Sequence, residues 1–342
     1  MKHKKRGQCG GPLGAVKGHS AMSIIQVQNL VKKYNGITAV NGISFEVRQG
    51  ELFGFLGPNG AGKTTTINIL CTLLSATDGR AFVNGYDCIE NASHVRASIG
   101  LVFQETTLDN DLTAYENLKF HCYLYNMKRK ETEERIKEVL QVVELYDRKD
   151  DLVRRFSGGM KRRLEIVRGL LHRPKVLFLD EPTLGLDPQT RMNIWAFIDN
   201  LRRKEGITVF MTTHYMDEAE VCSRIAIIDH GNIIACGTPD ELKKKIRGDT
   251  VYIKTSDDAK AFDEIERGFD IRAARLKDGI ALNVESGEKF IPKIFEALTT
   301  EILSINLKKP TLDDVFINLT GREIREDNNN KGSELFRIRK RG

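Results

Sequence analysis

The sequence predicts an α/β domain built on a mixed sheet, opened by a helical insertion and followed by a small α+β unit. Three observations predict it. Leu52-Phe53-Gly54-Phe55-Leu56 is a short apolar run of buried-strand character that leads straight into a glycine-rich turn. Val176-Leu177-Phe178-Leu179 and Ile207-Thr208-Val209-Phe210-Met211 are apolar, β-rich runs of the kind found in a parallel sheet covered on both faces. Between these groups, from Thr113 to about residue 148, the chain becomes charged and helical.

In chain order, strand segments around Ile24-Ile25-Gln26-Val27 and Ile43-Ser44-Phe45-Glu46-Val47 are broken at Asn35-Gly36, a turn pair. After the glycine-rich turn, Lys63 to Leu74 has helical apolar spacing at Ile67, Leu70 and Leu74. Gly100-Leu101-Val102-Phe103 is another short apolar strand. Thr113-Ala114-Tyr115-Glu116 has the form of a capping box and opens a helix through Met127. A second amphipathic helix over 128–146 presents Ile136, Val139, Leu140 and Val143 on one face. Ile225–Asp229 and Ile233–Ala235, turning at His230-Gly231-Asn232, read as a closing hairpin, which ends the first domain near residue 247. Strands near 251–254, 280–284 and 302–307 and helices near 258–267 and 287–298 make up the second unit. The resulting division is a basic leader over 1–22, the main domain over 23–247 with its insertion at about 105–165, the accessory unit over 248–320 and a disordered polar tail over 321–342.

Composition bounds the function. With 342 residues, 40% hydrophobic and 29% charged, the chain can bury a sizeable core in one large domain and a smaller one. No apolar run reaches the roughly 18 residues of a membrane span, so a membrane path would have to come from a separate chain. The net charge of +6 sits mostly in the leader, at Lys2, Lys4, Lys5, Arg6 and Lys17, and leaves the remainder close to neutral. A basic tail can bind nucleic acid or anionic lipid, but a Gly-rich leader without acids or an apolar core reads first as disordered, and nucleic acid is not an expected partner. Met1 and Met22 both qualify as starts. Six cysteines without a C-x-x-C pair suggest neither zinc nor a disulfide frame.

Gly57-Pro58-Asn59-Gly60-Ala61-Gly62-Lys63-Thr64 matches G-x-x-x-x-G-K-[ST], a phosphate loop lying in the strand–turn–helix setting that the motif needs. Consecutive backbone N–H groups and a helix N-terminus make an anion cradle there. Lys63 is expected to reach the β- and γ-phosphates of a nucleotide, and the Thr64 hydroxyl to ligate Mg²⁺. Such loops serve kinases, GTPases, helicases and transporters alike. Asp180 and Glu181 emerge at the carboxyl end of an apolar strand, where open α/β sheets bind ligands. Taken singly, Gln104 is an ordinary surface glutamine, His214 a structural or solvent-exposed histidine and Tyr34 a core or surface tyrosine.

A Ser157-Gly158-Gly159 turn opening a helix, followed by Leu179-Asp180-Glu181-Pro182, narrows these possibilities. Together with the phosphate loop it resembles the ATP-binding cassette (ABC) ATPases, over roughly 26–245. Met160, where that family usually has glutamine, and Pro310-Thr311-Leu312-Asp313-Asp314-Val315-Phe316 resemble the daunorubicin-type, drug-resistance branch and extend the match to about 320.

The resemblance implies a P-loop ABC ATPase domain with ATP and Mg²⁺ as cofactors. Gly57, Asn59, Gly60, Gly62, Lys63, Thr64 and Thr65 would hold the phosphates and Tyr34 would stack on adenine. Thr64, Gln104 and Asp180 would hold the metal. Glu181 would act as general base or orient the water, with His214 sensing the γ-phosphate and Gln104 linking the sheet to the insertion. Ser157, Gly158 and Gly159 would complete the site of a partner subunit, and Asp187 lies in the loop that crosses that interface. The implied function is the ATP-hydrolysing subunit of an ABC-2-type exporter, dimerising with itself or a paralogue. It would sit on the cytoplasmic face of the membrane through a separate permease, whose coupling segment would meet the insertion and residues 105–109. A soluble ABC ATPase remodelling nucleic acid or a protein assembly is the alternative, and a phosphate-loop kinase a third.

Overall fold

The structure is a computed structural model and describes residues 23–321 apart from 247, 270, 272 and 277. The leader expected over 1–22 and, save Gly321, the tail expected over 321–342 lie outside the described residues. Strands β1 (Ser23–Tyr34) and β2 (Ile37–Arg48) form the first hairpin. They turn through Asn35 and Gly36, at φ 40° and 87°. Next come β3 (Leu52–Leu56) and α1 (Lys63–Leu70). Helix α1 stops short of Leu74 because Thr72 enters the left-handed region at φ 62° and the Leu73 and Leu74 amides turn back to the Asn68 carbonyl. Strands β4 (Asp78–Val83) and β5 (Tyr86–Asp87) and helix α2 (Ala92–Ser98) carry no periodic signal strong enough to be read from the chain. Strand β6 (Ile99–Val102) follows.

Helices α3 (Ala114–Leu124), α4 (Arg129–Val142) and α5 (Gly158–Arg168) form the insertion. The Thr113–Glu116 capping box is present as the sequence predicts. The helix it opens ends at Leu124, three residues short of Met127, and Asn126 turns the chain at φ 53°. The second half supplies β7 (Val176–Asp180), α6 (Pro188–Glu205), β8 (Thr208–Thr213) and α7 (Met216–Glu220). The hairpin β9 (Arg224–Asp229) and β10 (Asn232–Gly237) and the short α8 (Pro239–Lys243) close it. Then come β11 (Asp249–Thr255), α9 (Asp258–Gly268), β12 (Ala273–Leu276), β13 (Gly279–Val284), α10 (Gly287–Ala297), β14 (Ile302–Lys308) and α11 (Leu312–Thr320).

The central six-stranded sheet runs β10-β9-β3-β8-β7-β6, parallel except for β10 at its edge. An antiparallel sheet, β2-β1-β4-β5, covers one of its faces. Phenylalanines fill the space between them. Phe45 of β2 stacks on Phe53 of β3 at 5.7 Å and Phe210 of β8 at 6.0 Å between ring centroids. The strands of the parallel sheet are buried on both faces, which is why they read as continuous apolar runs rather than alternating ones. A third sheet, β12-β13-β11-β14, is antiparallel and packs α9 and α10 on a core of its own. Cys71, Cys88, Cys122 and Cys222 are free and buried. Among the described residues, no helix is long and apolar enough to cross a membrane.

Helix α11 does not join the accessory core. Its Leu312, Val315 and Phe316 pack into the core of the first domain with Trp195, Ala219 and Leu242, against α7 and α8. Phe316 is 1% exposed. Replacing it with alanine is expected to destabilise the first domain by about 3–5 kcal/mol. Trp195 is the only tryptophan in the chain and lies in the same cluster, so urea unfolding followed by its fluorescence measures this directly. An unchanged midpoint would mean that α11 contributes nothing to that core.

Candidate functional site

The parallel register brings the ends of four strands to one edge. Leu56 pairs with Thr213, Asp180 with Thr212 and Val102 with Leu179. The residues that follow these pairs are Gly57, Glu181, His214 and, a step further on, Gln104. The Gly57 amide donates to the Thr213 carbonyl at 3.2 Å, which joins the phosphate loop to the strand bearing His214.

Two glycines make the loop possible. A Cβ on Gly57 would come within 2.3 Å of the Ile228 carbonyl oxygen. Gly62, at φ 107°, caps α1, and a Cβ there would lie 2.5 Å from the Ala39 oxygen. Only a residue without a side chain fits either place. Among the described residues no side chain caps α1, so its first N–H groups stay open to an anion. Asn59, Gly60 and Thr64 are exposed around this mouth and Thr65 is half-buried.

Lys63 is buried and directs Nζ to the Gly57 oxygen at 2.7 Å, the Pro58 oxygen at 3.2 Å and Glu181 Oε1 at 3.1 Å. Burial pushes its ammonium below the ordinary lysine value, and Glu181 offsets part of that. The other Glu181 oxygen, Oε2, lies 3.2 Å from His214 Nδ1. Burial would raise the Glu181 carboxyl, yet His214 and Lys63 together hold it below its usual range. Asp180 behaves in the opposite way. It accepts from the Thr212 hydroxyl at 2.5 Å and the Thr64 hydroxyl at 3.4 Å, and burial still drives its carboxyl upward. A desolvated carboxylate held by neutral hydroxyls, with Thr64 beside it, fits a divalent cation as the missing counter-charge.

The remaining expected residues lie apart from this cluster. Gln104 is exposed just beyond β6, on the same edge. Tyr34 ends β1 on the covering sheet, 43% exposed, with Lys32 Nζ 5.0 Å over its ring. Its pairing partner Ile37 is two residues from Ala39, which abuts Gly62, so the hairpin tip stands beside the loop. Ser157 is exposed and caps α5 by accepting from the Met160 amide at 3.3 Å. Gly158 and Gly159 pack on Leu186 and Thr190, where Asp187 caps α6 through the Thr190 amide at 3.0 Å. The serine turn and Asp187 thus form a second cluster. The Met160 side chain packs against the insertion core.

Some site residues carry no motif signal. Thr212 bonds both neighbours in the acid pair, donating to Asp180 and accepting from the Glu181 amide at 3.1 Å. Glu218 is buried and accepts from the hydroxyls of Thr183 and, at 2.5 Å, Thr213. Arg162, in the basic run Lys161-Arg162-Arg163, is also buried. These roles depend on which strand ends the fold aligns, and spacing along the chain does not reveal them.

Residues 40–184 match the ABC transporter family, and residues 237–320 match the C-terminal domain of DrrA1-3-like ATP-binding proteins. The linearmycin resistance ATP-binding protein LnrL of Bacillus subtilis (strain 168) is 39% identical over 312 residues, covering 89% of this chain and 100% of that protein. The daunorubicin/doxorubicin resistance ATP-binding protein DrrA of Streptomyces peucetius is 36% identical over 322 residues, covering 92% and 97%. The ATP-binding cassette MJ0796, solved as a post-hydrolysis dimer bound to ADP and Pi, is 28% identical, with a TM-score of 0.57 over 63% of this chain and 98% of that one.

Burial raises the Glu218 carboxyl from 4.5 to about 7, more than the Thr213 hydroxyl, the Trp195 side chain and the nearby Arg191 and His214 can offset. The folded chain therefore keeps a proton that the unfolded chain loses, and stability falls as pH climbs from about 4.5 to about 7 and stays lower above. Glu218→Gln is expected to remove that component. Urea midpoints of the two proteins compared from pH 5 to 8 check it, and parallel curves would refute it.

Proposed function

The chain belongs to the ABC transporter family of ATP-binding subunits, in the drug-resistance branch that carries the DrrA-like C-terminal domain, and it hydrolyses ATP; on that premise we propose that two copies close on ATP and drive a separate membrane permease that exports an amphipathic compound. The observation that carries the dimer is the division of the site. Lys63, Thr64, Asp180, Glu181 and His214 form one cluster, while the exposed Ser157 turn, at the N-terminus of a helix with no acid in its first turn, belongs to another. A second copy would bring that turn to the first copy's nucleotide. The dimeric relative bound to ADP and Pi is consistent with this arrangement.

In this reading Gly57, Asn59, Gly60, Gly62, Lys63, Thr64 and Thr65 bind the phosphates and Tyr34 stacks on the adenine. Phosphate oxygens compete with Glu181 for Lys63, which frees the Glu181 carboxylate to orient and deprotonate the attacking water. His214 holds the far side of that carboxylate. Thr64, Asp180 and Gln104 would hold Mg²⁺, which neutralises phosphate charge when bound. Ser157, Gly158 and Gly159 reach the partner's γ-phosphate, and Asp187 sits where the copies meet.

A groove of about 520 Å³ supports docking of the permease. Phe103, Thr107, Phe120, Leu124 and Tyr125 line it, and Phe120 and Leu124 are 59% and 60% exposed. It adjoins the segment 105–109 and would place the chain on the cytoplasmic face of the membrane.

Lys63→Ala is expected to lose ATP binding and to lower turnover by on the order of 10²-fold or more. Wild-type turnover in that variant would remove the phosphate-loop assignment. Glu181→Gln should bind ATP yet stall, leaving a dimer on size-exclusion chromatography in ATP and Mg²⁺. A strictly monomeric variant would overturn the two-copy reading.

A further inference from the structure

Arg162 lies on the second turn of α5, five residues beyond Ser157, with its side chain 7% exposed. Its guanidinium joins two loops that are far apart in sequence. Nε donates to the Pro182 carbonyl, and Nη2 lies 3.4 Å from both the Asp180 and the Glu181 carbonyl oxygens. Nη1 donates to the Phe103 carbonyl at 2.7 Å and to Glu165 at 3.0 Å. Few side chains could do this, because a planar fork of five donors can serve carbonyls on two sides at once. Glu165, itself 1% exposed, accepts from the Thr107 amide at 2.6 Å, and Arg168 donates to the Thr107 carbonyl at 2.9 Å. The loop carrying Gln104 is therefore fastened to α5 at both ends, at Phe103 and at Thr107.

The other loop has a reason to need fastening. Glu181 sits at φ 44°, in the left-handed region that a non-glycine residue enters only under constraint. The carbonyls of residues 180, 181 and 182, which bracket that kink, all face Arg162. Phe103, Thr107 and Arg168 meanwhile line the docking groove.

We propose that Arg162 is a positioning residue that fixes the Glu181 carboxylate and links its placement to the docking groove and to the Ser157 turn. A shift of the groove loop or of α5 moves the guanidinium, and the guanidinium moves the kink on which Glu181 stands. This rests on the reading of Glu181 as the group that orients the water.

The test uses the full-length protein with Arg162→Met, Arg162→Lys and Glu165→Gln. Arg162→Met should lower kcat for ATP by about 10- to 100-fold while KM stays within about threefold, the pattern of a lost transition-state arrangement rather than lost binding. Arg162→Lys should recover part of the loss, since an ammonium keeps the charge but reaches fewer carbonyls, and Glu165→Gln should fall between. On a Glu181→Gln background, Arg162→Lys should leave ATP retention and the ATP-trapped species unchanged. Wild-type kcat in Arg162→Met would overturn the proposal. So would KM rising in step with the fall in kcat, which marks general damage to the nucleotide site. Should Arg162→Met fail to fold, as judged by its Trp195 fluorescence, Arg162→Lys and Glu165→Gln decide: reduced kcat at constant KM supports the proposal and wild-type kcat in both sinks it. A failure of the reading of Glu181 shows elsewhere, as wild-type turnover in Glu181→Gln.

Discussion

The buried ion pair between Lys63 and Glu181 is the constraint on which the rest of the site depends. Two charges withdrawn from water stay stable only when paired and otherwise satisfied. Here Lys63 spends its remaining donors on the Gly57 and Pro58 carbonyls, and Glu181 presents its second oxygen to His214. These partners stand on three strand ends, those of β3, β7 and β8. A slip of one residue between β3 and β8 or between β7 and β8 would turn these side chains to the opposite face and leave both charges stranded. Register, loop geometry and charge balance are thus set together.

Helix α5 extends the same economy across the domain. Ile166 packs beneath the central sheet, while Leu164 and Val167 pack in the insertion core. One short helix therefore belongs to two cores, carries an exposed anion-friendly terminus and supplies the arginine behind the acid pair. It is one of the bridges between the insertion and the sheet, beside the Arg135–Glu205 pair that joins α4 to α6.

Much of this was legible in the chain because it depends on local rules. A strand, a glycine turn and a helix in sequence define the phosphate loop, and Thr113 with Glu116 defines a helix start. Apolar runs such as Val176–Leu179 announce strands buried on both faces. Strands β4 and β5 were not legible, since Asp78–Val83 mixes charge and glycine and gains its order by pairing with β1. Thr212, Glu218 and Arg162 were hidden for a similar reason. Their chemistry comes from neighbours supplied by distant parts of the chain, and nothing in their immediate sequence distinguishes them from ordinary strand or helix residues.

Helix α11 gives the accessory sheet an unusual status. The chain leaves the first domain after α8, builds β11 to β14 with their helices, and then returns to place Leu312, Val315 and Phe316 in the core it had left. The accessory sheet is thus a loop of structure anchored at both ends rather than a pendant. Such a unit cannot swing freely on a single hinge; whatever pushes on it loads two points of the ATPase core at once.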